Sequence, residues 1–245
     1  MNQVIRLLRS HRSIRKFTTQ QIGQEIVDEL VRAGQAASTS SFIQACTVMQ
    51  VNERGHRELL AEYAGNQAYV ADAPVFLVFC ADMQRHRLAC RMQATEMLSG
   101  YTEQFITASV DCALFAQNVL TAAESLGLGG VLIGGIRNQI QQVADLLDLP
   151  DLVFPVFGLC LGYPDQNPEI KPRLPLSVVL KQDRYDDSAD SELISAYDRE
   201  VQPYYRSRSG GTKETTWSQQ IAGLLSKESR PHMRDFLQKK GFLLK

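Results

Sequence analysis

The sequence predicts an α+β fold, or a mixed α/β fold, with a mixed central β-sheet surrounded by helices. Three observations support this prediction. Residues 75–81 are apolar throughout, which is typical of a strand buried on both faces of a sheet. Residues 102–126 are apolar around most of the helical wheel, which indicates a central core helix. Helices and strands alternate only loosely along the chain, so a regular βαβ repeat is not indicated.

Apolar periodicity defines the elements of the first half of the chain. Ile26, Leu30 and Ala33 recur at helical spacing, and a polar, basic stretch separates them from a shorter helical pattern before it. A run of small residues then precedes the first apolar strand. The predicted elements are a helix at 3–9, a loop at 11–21, a helix at 23–36, a loop at 37–41 and strands at 46–51 and 75–81.

Glycine and proline mark the ends of the elements in the second half. Gly127 ends the long helix at 102–126, and Asn138 is the expected N-cap of a shorter one. The elements predicted after the long helix are a strand at 131–133, a helix at 138–147, a buried strand at 153–162 and a proline-rich loop at 164–175. The rest is polar and mostly helical, with a hydrophilic gap at 206–213.

Length and composition predict an ordinary globular protein. The 245 residues are 44% hydrophobic and 22% charged, and 26 basic against 27 acidic side chains give a net charge of −1. These values exclude wholesale disorder and give no electrostatic reason to expect a nucleic acid partner. We expect a core of residues 1–185 and a C-terminal helical extension of residues 186–245.

The sequence predicts a cytoplasmic protein without a membrane segment. Arg6 and Arg9 interrupt the apolar residues near the N-terminus, so no signal peptide is indicated. The most apolar run, residues 74–81, is far shorter than the roughly 20 residues that a membrane-spanning helix needs.

Cysteine and histidine patterns do not indicate a metal site. The five cysteines include no CxxC pair, and most lie in apolar runs, where a free thiol behaves as a small hydrophobe. Catalysis by one of these cysteines is the less favoured alternative. His86 and Cys90 are four residues apart, but two ligands do not make a metal site. The chain also lacks the GxSxG motif of many serine hydrolases.

A glycine-rich segment at 127–135 invites comparison with nucleotide-binding loops. A GxGxxG motif starting at Gly127 fails because its third position is Leu132, and a GxxxxGK motif fails because Ile136 follows Gly135. The last two glycines nevertheless lie at a predicted strand end, where a backbone without Cβ atoms allows a flat ligand to approach closely. A simple turn is the alternative interpretation.

Two basic clusters are the most informative feature of the sequence. In an extended loop, residues i and i+2 point the same way, so Ser13 and Arg15 of the first cluster would converge. Lys171 and Arg173 of the second cluster have the same spacing. Several cations together with a hydroxyl match a phosphate dianion, whereas solvated surface loops are the alternative.

Six stretches, in order along the chain, lead to a known family. They are HRSIRKF at 11–17, AASTSS at 36–41, AGNQ at 64–67, AAESLG at 122–127 continuing through IGGIRN at 133–138, FGLCLG at 157–162 and KPRLP at 171–175. Together they resemble the oxygen-insensitive NADPH nitroreductases of the A type, a family that includes the NADPH–flavin oxidoreductases. The resemblance covers nearly the whole chain and extends to residues 227–231.

The resemblance implies a nitroreductase-like fold and a homodimer that binds one FMN per subunit at the subunit interface. The FMN-binding residues it implies are His11, Arg12, Ser13, Arg15, Thr39, Gln67, Leu132, Ile133, Gly134, Gly135, Lys171 and Arg173. The phosphate would be held by Arg12, Ser13, Lys171 and Arg173. Arg15 would lie at the pyrimidine edge, where a cation favours the reduced flavin. Thr39 stands where serine is usual in the family, which preserves a hydroxyl.

The implied activity is a two-electron, ping-pong reduction of nitroaromatic compounds, quinones or flavins by NADPH. The flavin transfers the hydride, so no catalytic side chain and no metal are expected. Arg208 and Lys213 fall in the loop where the family uses two arginines for the 2′-phosphate of NADPH, and Lys213 keeps the charge without the guanidinium fork. The C-terminal extension is therefore expected near the NADPH site, where it would also wrap around the partner subunit.

Three functions stay open on the sequence alone. The first is an FMN-dependent nitroreductase, and the second is an NADPH-dependent FMN reductase that supplies reduced free flavin. The third is a flavin-binding or redox-partner protein without enzymatic activity. The sequence does not name the electron acceptor, because a flat pocket over a flavin accepts many molecules.

Overall fold

The computed structural model describes residues 2–208, 212 and 214–245. Four strands and eleven α-helices are named within these residues. In chain order they are α1 (Gln3–Arg9), α2 (Gln24–Gln35), β1 (Cys46–Gln50), α3 (Arg54–Tyr63), α4 (Ala68–Asp72), β2 (Val75–Asp82), α5 (Gln84–Met92), α6 (Thr102–Ser125), β3 (Gly129–Ile133), α7 (Ile140–Leu146), β4 (Val153–Gly162), α8 (Leu176–Val179), α9 (Asp190–Arg208), α10 (Trp217–Leu225) and α11 (Met233–Lys239).

The four strands form one sheet in the order β1-β2-β4-β3. Every residue of β2 is buried, which confirms the prediction of a strand covered on both faces. The α+β class is confirmed as well. The three strand pairs are antiparallel, rather than mixed as predicted, and the parallel pairing in the described chain is a single bridge between Ser13 and Gly130.

Helix α6 packs along the sheet with one face and leaves the other accessible. Ala108, Cys112, Ala116 and Val119 recur at helical spacing and are fully buried. On the opposite side, three apolar side chains are about half exposed: Ile106, Val110 and Leu114. By length and composition alone α6 could cross a membrane, but its buried stripe contacts α2 and the sheet, as expected for a core helix.

The chain forms two compact units. The first comprises Met1–Gln166 and Arg230–Lys245, and the second comprises Asn167–Ser229. Residues after 229 belong to the first unit because Phe242 of the C-terminal segment is buried in its core, with its ring 5.0 Å from that of Phe154. These units divide the chain at places other than the predicted boundary between residues 185 and 186.

The segment after β3 differs from its prediction. Residues 134–137 form a 3₁₀ turn, and α7 starts at Ile140 with Gln139 as its N-cap, so Asn138 is not the N-cap. The side-chain oxygen of Asn138 instead accepts a hydrogen bond of 3.0 Å from Arg230 Nε. The two glycines at the start of the turn permit this tight connection.

Candidate active site

The first basic cluster lies beside strand β3. Ile14 donates its backbone N–H to the carbonyl of Gly130 at 2.9 Å, and Ser13 forms the parallel bridge with the same glycine. A Cβ on Gly129 would lie 2.5 Å from Cγ1 of the buried Ile14. The glycines at the start of β3 therefore allow this cluster to pack directly on the edge strand of the sheet.

His11 is held by an acidic residue at the end of α6. Its Nδ1 lies 2.5 Å from Oε1 of Glu124, and the two side chains are 27% and 11% exposed. A carboxylate in the last turn of a helix is opposed by the helix dipole, so a donor such as His11 stabilises Glu124 there. Glu124 belongs to the AAESLG stretch, but the sequence did not indicate its partner.

Arg15 lies within electrostatic range of the end of β4. Burial raises the pKa of the Cys160 thiol, and the positive charges of Arg57 and Arg15 oppose that rise. Cys160 is the register partner of Val131 in β3. Arg15 is therefore close to the same strand pair that Ser13 and Ile14 contact.

Strand β3 ends in an exposed apolar side chain followed by two glycines. Leu132 is 41% exposed, although its neighbours in the strand are buried. A Cβ on Gly135 would lie 2.4 Å from both the Ala64 carbonyl oxygen and Gln67 Nε2. The backbone at Gly135 thus approaches the 64–67 loop more closely than a side chain would permit. This approach brings two predicted site segments together.

Two hydrogen bonds fix the amide of Gln67. Its Nε2 donates to the carbonyl of Ala64 at 2.5 Å, and the hydroxyl of Tyr69 donates to its Oε1. The carbonyl of Tyr69 in turn accepts a bond from the Cys160 thiol at 3.4 Å. Gln67 therefore has a set orientation, which the sequence did not indicate because it gave no role to Tyr69.

Thr39 has a hydroxyl that lacks a partner. Its Oγ1 is buried and, within the described residues, makes no hydrogen bond. A buried polar group without a partner costs about 1–3 kcal/mol. The role of Thr39 as a ligand-binding residue stays a prediction.

The loop that follows Thr39 is held by a buried carboxylate that the sequence analysis missed. Asp111 of α6 is 1% exposed, and it accepts the backbone N–H of Ser40 at 3.2 Å and that of Ala45 at 3.0 Å. Between these anchors, Ser41 and Phe42 have φ angles of +48° and +59°, which side-chain-bearing residues seldom adopt. The available signal was an acidic residue, Asp111, in the middle of the apolar helix 102–126.

The second basic cluster lies in the second unit, where aromatic residues of α9 hold it. Lys171 Nζ lies 4.9 Å from the centre of the Tyr205 ring, and the Tyr197 hydroxyl donates to the carbonyl of Pro172 at 2.9 Å. Burial raises the pKa of Tyr197, and the charge of Arg173 opposes the rise. Lys171 and Arg173 are thus part of a loop with a defined conformation.

A cavity of about 850 Å³ opens in the second unit. It is lined by Lys171, Tyr205, Arg208, Thr212, Glu214, Thr215 and Gln220. Arg208 thus shares a cavity with a member of the second basic cluster, which sequence spacing did not indicate. Lys213, the other residue predicted to bind the 2′-phosphate, lies outside the described residues.

Three of the five cysteines are core packing residues with fully buried side chains. Burial raises the pKa of Cys80, Cys112 and Cys160, which keeps these thiols protonated and therefore weakly nucleophilic. Among residues 2–208, 212 and 214–245, no three His, Cys, Asp or Glu side chains are grouped so that they could hold a metal ion. His86 Nε2 instead lies 2.6 Å from the carbonyl oxygen of Ile43.

Known proteins resemble this chain along its whole length. Residues 8–163 match the nitroreductase family, and residues 171–245 match the nitroreductase family C-terminal domain. An NADPH-flavin oxidoreductase of Vibrio harveyi is 46% identical over 98% of both chains. An oxygen-insensitive NADPH nitroreductase of Salmonella typhimurium is 43% identical over 99% of both, and an FMN reductase (NADPH) of Bacillus subtilis is 41% identical over 99% of both.

Solved structures agree with these sequence matches. The crystal structure of nitroreductase A from Vibrio parahaemolyticus superimposes with a TM-score of 0.93, at 46% identity and with both chains fully covered. The NADPH:FMN oxidoreductase from Vibrio harveyi complexed with NAD+ gives a TM-score of 0.92 at 44% identity, again with full coverage. The resemblance predicted from the six stretches is confirmed, and the chain belongs to the nitroreductase family.

Proposed function

We propose that this protein is an FMN-dependent oxidoreductase that takes electrons from NADPH and reduces nitroaromatic compounds, with quinones and free flavins as further acceptors. The names of its relatives support both the donor and the flavin. The observation that carries the proposal furthest is the contact of the first basic cluster with the glycines at the start of β3. This contact places a cation-rich segment along the strand that leads to Gly134 and Gly135.

The residues of the first unit fit FMN. Leu132 offers an exposed apolar surface, and Gly134 and Gly135 leave the backbone accessible, which suits a flat ring. The fixed amide of Gln67 is proposed to hydrogen-bond its polar edge, and the hydroxyl of Thr39 is a further proposed contact.

The phosphate and the reduced ring need cations. Following the resemblance, Arg12, Ser13, Lys171 and Arg173 are the proposed phosphate ligands. Arg15 is proposed to stabilise negative charge on the pyrimidine edge, which raises the reduction potential.

When bound, FMN supplies two-electron transfer between NADPH and the acceptor. The chain itself provides binding, orientation and charge. The fixed orientation of Gln67 and the Glu124-held His11 mean that these groups need little reorganisation when the ligand binds.

A homodimer is part of the proposal. The half-exposed apolar stripe of α6, formed by Ile106, Val110 and Leu114, adjoins helix α1, on which Val4 and Leu8 are also exposed. A continuous apolar surface of this kind is typical of a subunit interface. We propose that a second copy of the chain covers it and that the protein is cytoplasmic.

The decisive experiment follows the visible absorption of the purified protein. We expect a yellow protein that NADPH bleaches within seconds under anaerobic conditions and that a nitroaromatic compound reoxidises. Bleaching and reoxidation would eliminate the flavin-binding protein without enzymatic activity. A preparation that is colourless, and stays so after incubation with excess FMN, would overturn the proposal.

The second candidate is an FMN reductase that releases reduced flavin, and the name of the Bacillus subtilis relative favours it. Comparing kcat/KM for a nitrofuran, a quinone and free FMN under excess NADPH separates the two functions. A value for FMN well above the others would assign the protein as a flavin reductase.

A further inference from the structure

The cavity of the second unit contains charges of both signs. Lys171 and Arg208 are its cations, and Glu214 is the carboxylate among its described lining residues. A pocket built for phosphate alone would gain nothing from a carboxylate, because a like charge repels the ligand. A carboxylate in this lining suits a ligand group that donates a hydrogen bond, such as a hydroxyl.

The two cations are held in place by neighbouring tyrosines of α9. Lys171 Nζ lies 4.9 Å from the centre of the Tyr205 ring, and Arg208 Nη1 lies 3.4 Å from the Tyr204 hydroxyl. The rings of Tyr204 and Tyr205 are buried and pack edge to face with centres 5.6 Å apart. The cationic side of the cavity is thus fixed by packing.

Glu214 forms an ion pair at the surface of the second unit. Its Oε1 lies 3.3 Å from Nε of Arg206, and the two side chains are 58% and 69% exposed. An exposed pair like this contributes little to stability. The carboxylate can accept further hydrogen bonds beside this pair, because each oxygen has two lone pairs.

The two nicotinamide dinucleotides differ at the position where these charges matter. In NADPH the adenosine ribose has a 2′-phosphate, which attracts Arg208 and is repelled by Glu214. In NADH the same carbon has a hydroxyl, which a carboxylate can bind. We propose that Glu214 is a specificity-determining residue that accepts a hydrogen bond from this hydroxyl and weakens binding of the 2′-phosphate, so that the pocket takes both dinucleotides. This inference rests on the proposed use of Arg208 for the nicotinamide dinucleotide.

The first test measures binding of NADP+ and NAD+ to the FMN-loaded protein by calorimetry, so that no turnover occurs. In E214Q, we expect NADP+ to bind about threefold more tightly and NAD+ about threefold more weakly, the size typical of an exposed charge and a single hydrogen bond. The gain for NADP+ should shrink at 0.5 M salt because it depends on charge repulsion. R208Q should weaken NADP+ binding alone.

The second test compares kcat/KM for NADPH and NADH. We expect the ratio of the two values to rise about tenfold in E214Q. The control is E192Q, which removes an exposed carboxylate of α9 that does not line the cavity and should leave the ratio unchanged.

Opposite shifts for the two dinucleotides support the inference, since a general disturbance of the loop would weaken both. If E214Q changed the affinities for NADP+ and NAD+ equally, or left the kcat/KM ratio unchanged, the role of Glu214 would be overturned. Normal reduction of the flavin by NADPH would then leave the proposed function intact. Conversely, opposite binding shifts in a protein whose flavin neither dinucleotide reduces would overturn the proposed function and uphold the role of Glu214.

Discussion

Replacing Gly135 by alanine should destabilise the protein. The new Cβ would lie 2.4 Å from the carbonyl oxygen of Ala64 and from Nε2 of Gln67, whereas ordinary van der Waals contact starts at 3.4 Å. The glutamine amide can rotate away, but the carbonyl belongs to the backbone. The end of β3 or the 64–67 loop therefore has to move by about 1 Å, the difference between these distances.

The expected loss of stability follows from two opposing effects. Overpacking of this kind costs about 1–3 kcal/mol. Gly→Ala also restricts the unfolded chain, which by itself stabilises a protein by about 0.4–1 kcal/mol. The free energy of unfolding of G135A should therefore fall by about 1–2 kcal/mol, and its Tm by about 2–8 °C for a chain of this length.

Urea unfolding of the FMN-free protein measures this difference. The matched control is G223A, because Gly223 lies in α10 with no atom within 4 Å of its added Cβ, and a helical Gly→Ala change should stabilise. If G135A were as stable as the control, the close approach would be refuted. FMN binding should also weaken at least tenfold in G135A, and unchanged binding would remove the glycine backbone from the proposed flavin site.

Four further outcomes are expected. D111N should lower Tm by several degrees and weaken FMN binding, because the Asn amide offers one oxygen where the carboxylate accepts from two backbone N–H groups. Unchanged FMN affinity would show that the loop after Thr39 does not belong to the flavin site. R15A should lower the flavin potential by about 30 mV, equivalent to about 1.4 kcal/mol for two electrons, whereas R15K should not, and spectroelectrochemistry decides. Burial raises the pKa of Asp82, but hydrogen bonds and the charge of Arg85 outweigh burial, so this pKa is lowered in the folded protein. The carboxylate therefore stabilises the fold above about pH 4, and this stabilisation is lost on further acidification. D82N should lose less Tm than the unmodified protein between pH 5 and 3, and an equal loss would contradict this. Iodoacetamide should modify about one thiol of the native protein, Cys90, and all five after denaturation, as counted by mass spectrometry; rapid reaction of a second thiol would argue against the buried positions.

Local pattern predicts an element when its buried face is apolar. The strand at 75–81 and the helix at 102–126 were predicted on this basis, and β2 and α6 occupy these segments. Helix α3 was missed because a buried arginine interrupts its apolar face. Arg57 is 9% exposed and donates to the carbonyls of Val70 and Ala73, which end the neighbouring helix α4. A charged residue on the core side weakens the apolar pattern by which a helix is identified in a sequence.

The glycine-rich strand end shows a second limit of sequence reasoning. Its spacing excluded known nucleotide-binding loops but left a simple turn as an alternative. The distinction depends on what faces Gly135, which is the 64–67 loop, some seventy residues earlier in the chain. Family resemblance indicated that these segments belong to one site, because it reflects the folded arrangement rather than the local pattern. The roles of the individual site residues, Lys213 among them, stay predictions.

The residues that hold the site together lie on one helix. Asp111 of α6 anchors the loop after Thr39, and Glu124 of the same helix anchors His11, across sequence separations of 71 and 113 residues. Thirteen residues of α-helix span about 20 Å, so α6 sets a fixed distance between the two anchors. Both carboxylates sit in a helix whose apolar residues pack against the sheet, and a rigid core element therefore positions two loops that the sequence leaves independent. Substitutions within the buried stripe of α6 should then disturb both loops together, even though none of its apolar side chains is a proposed ligand contact.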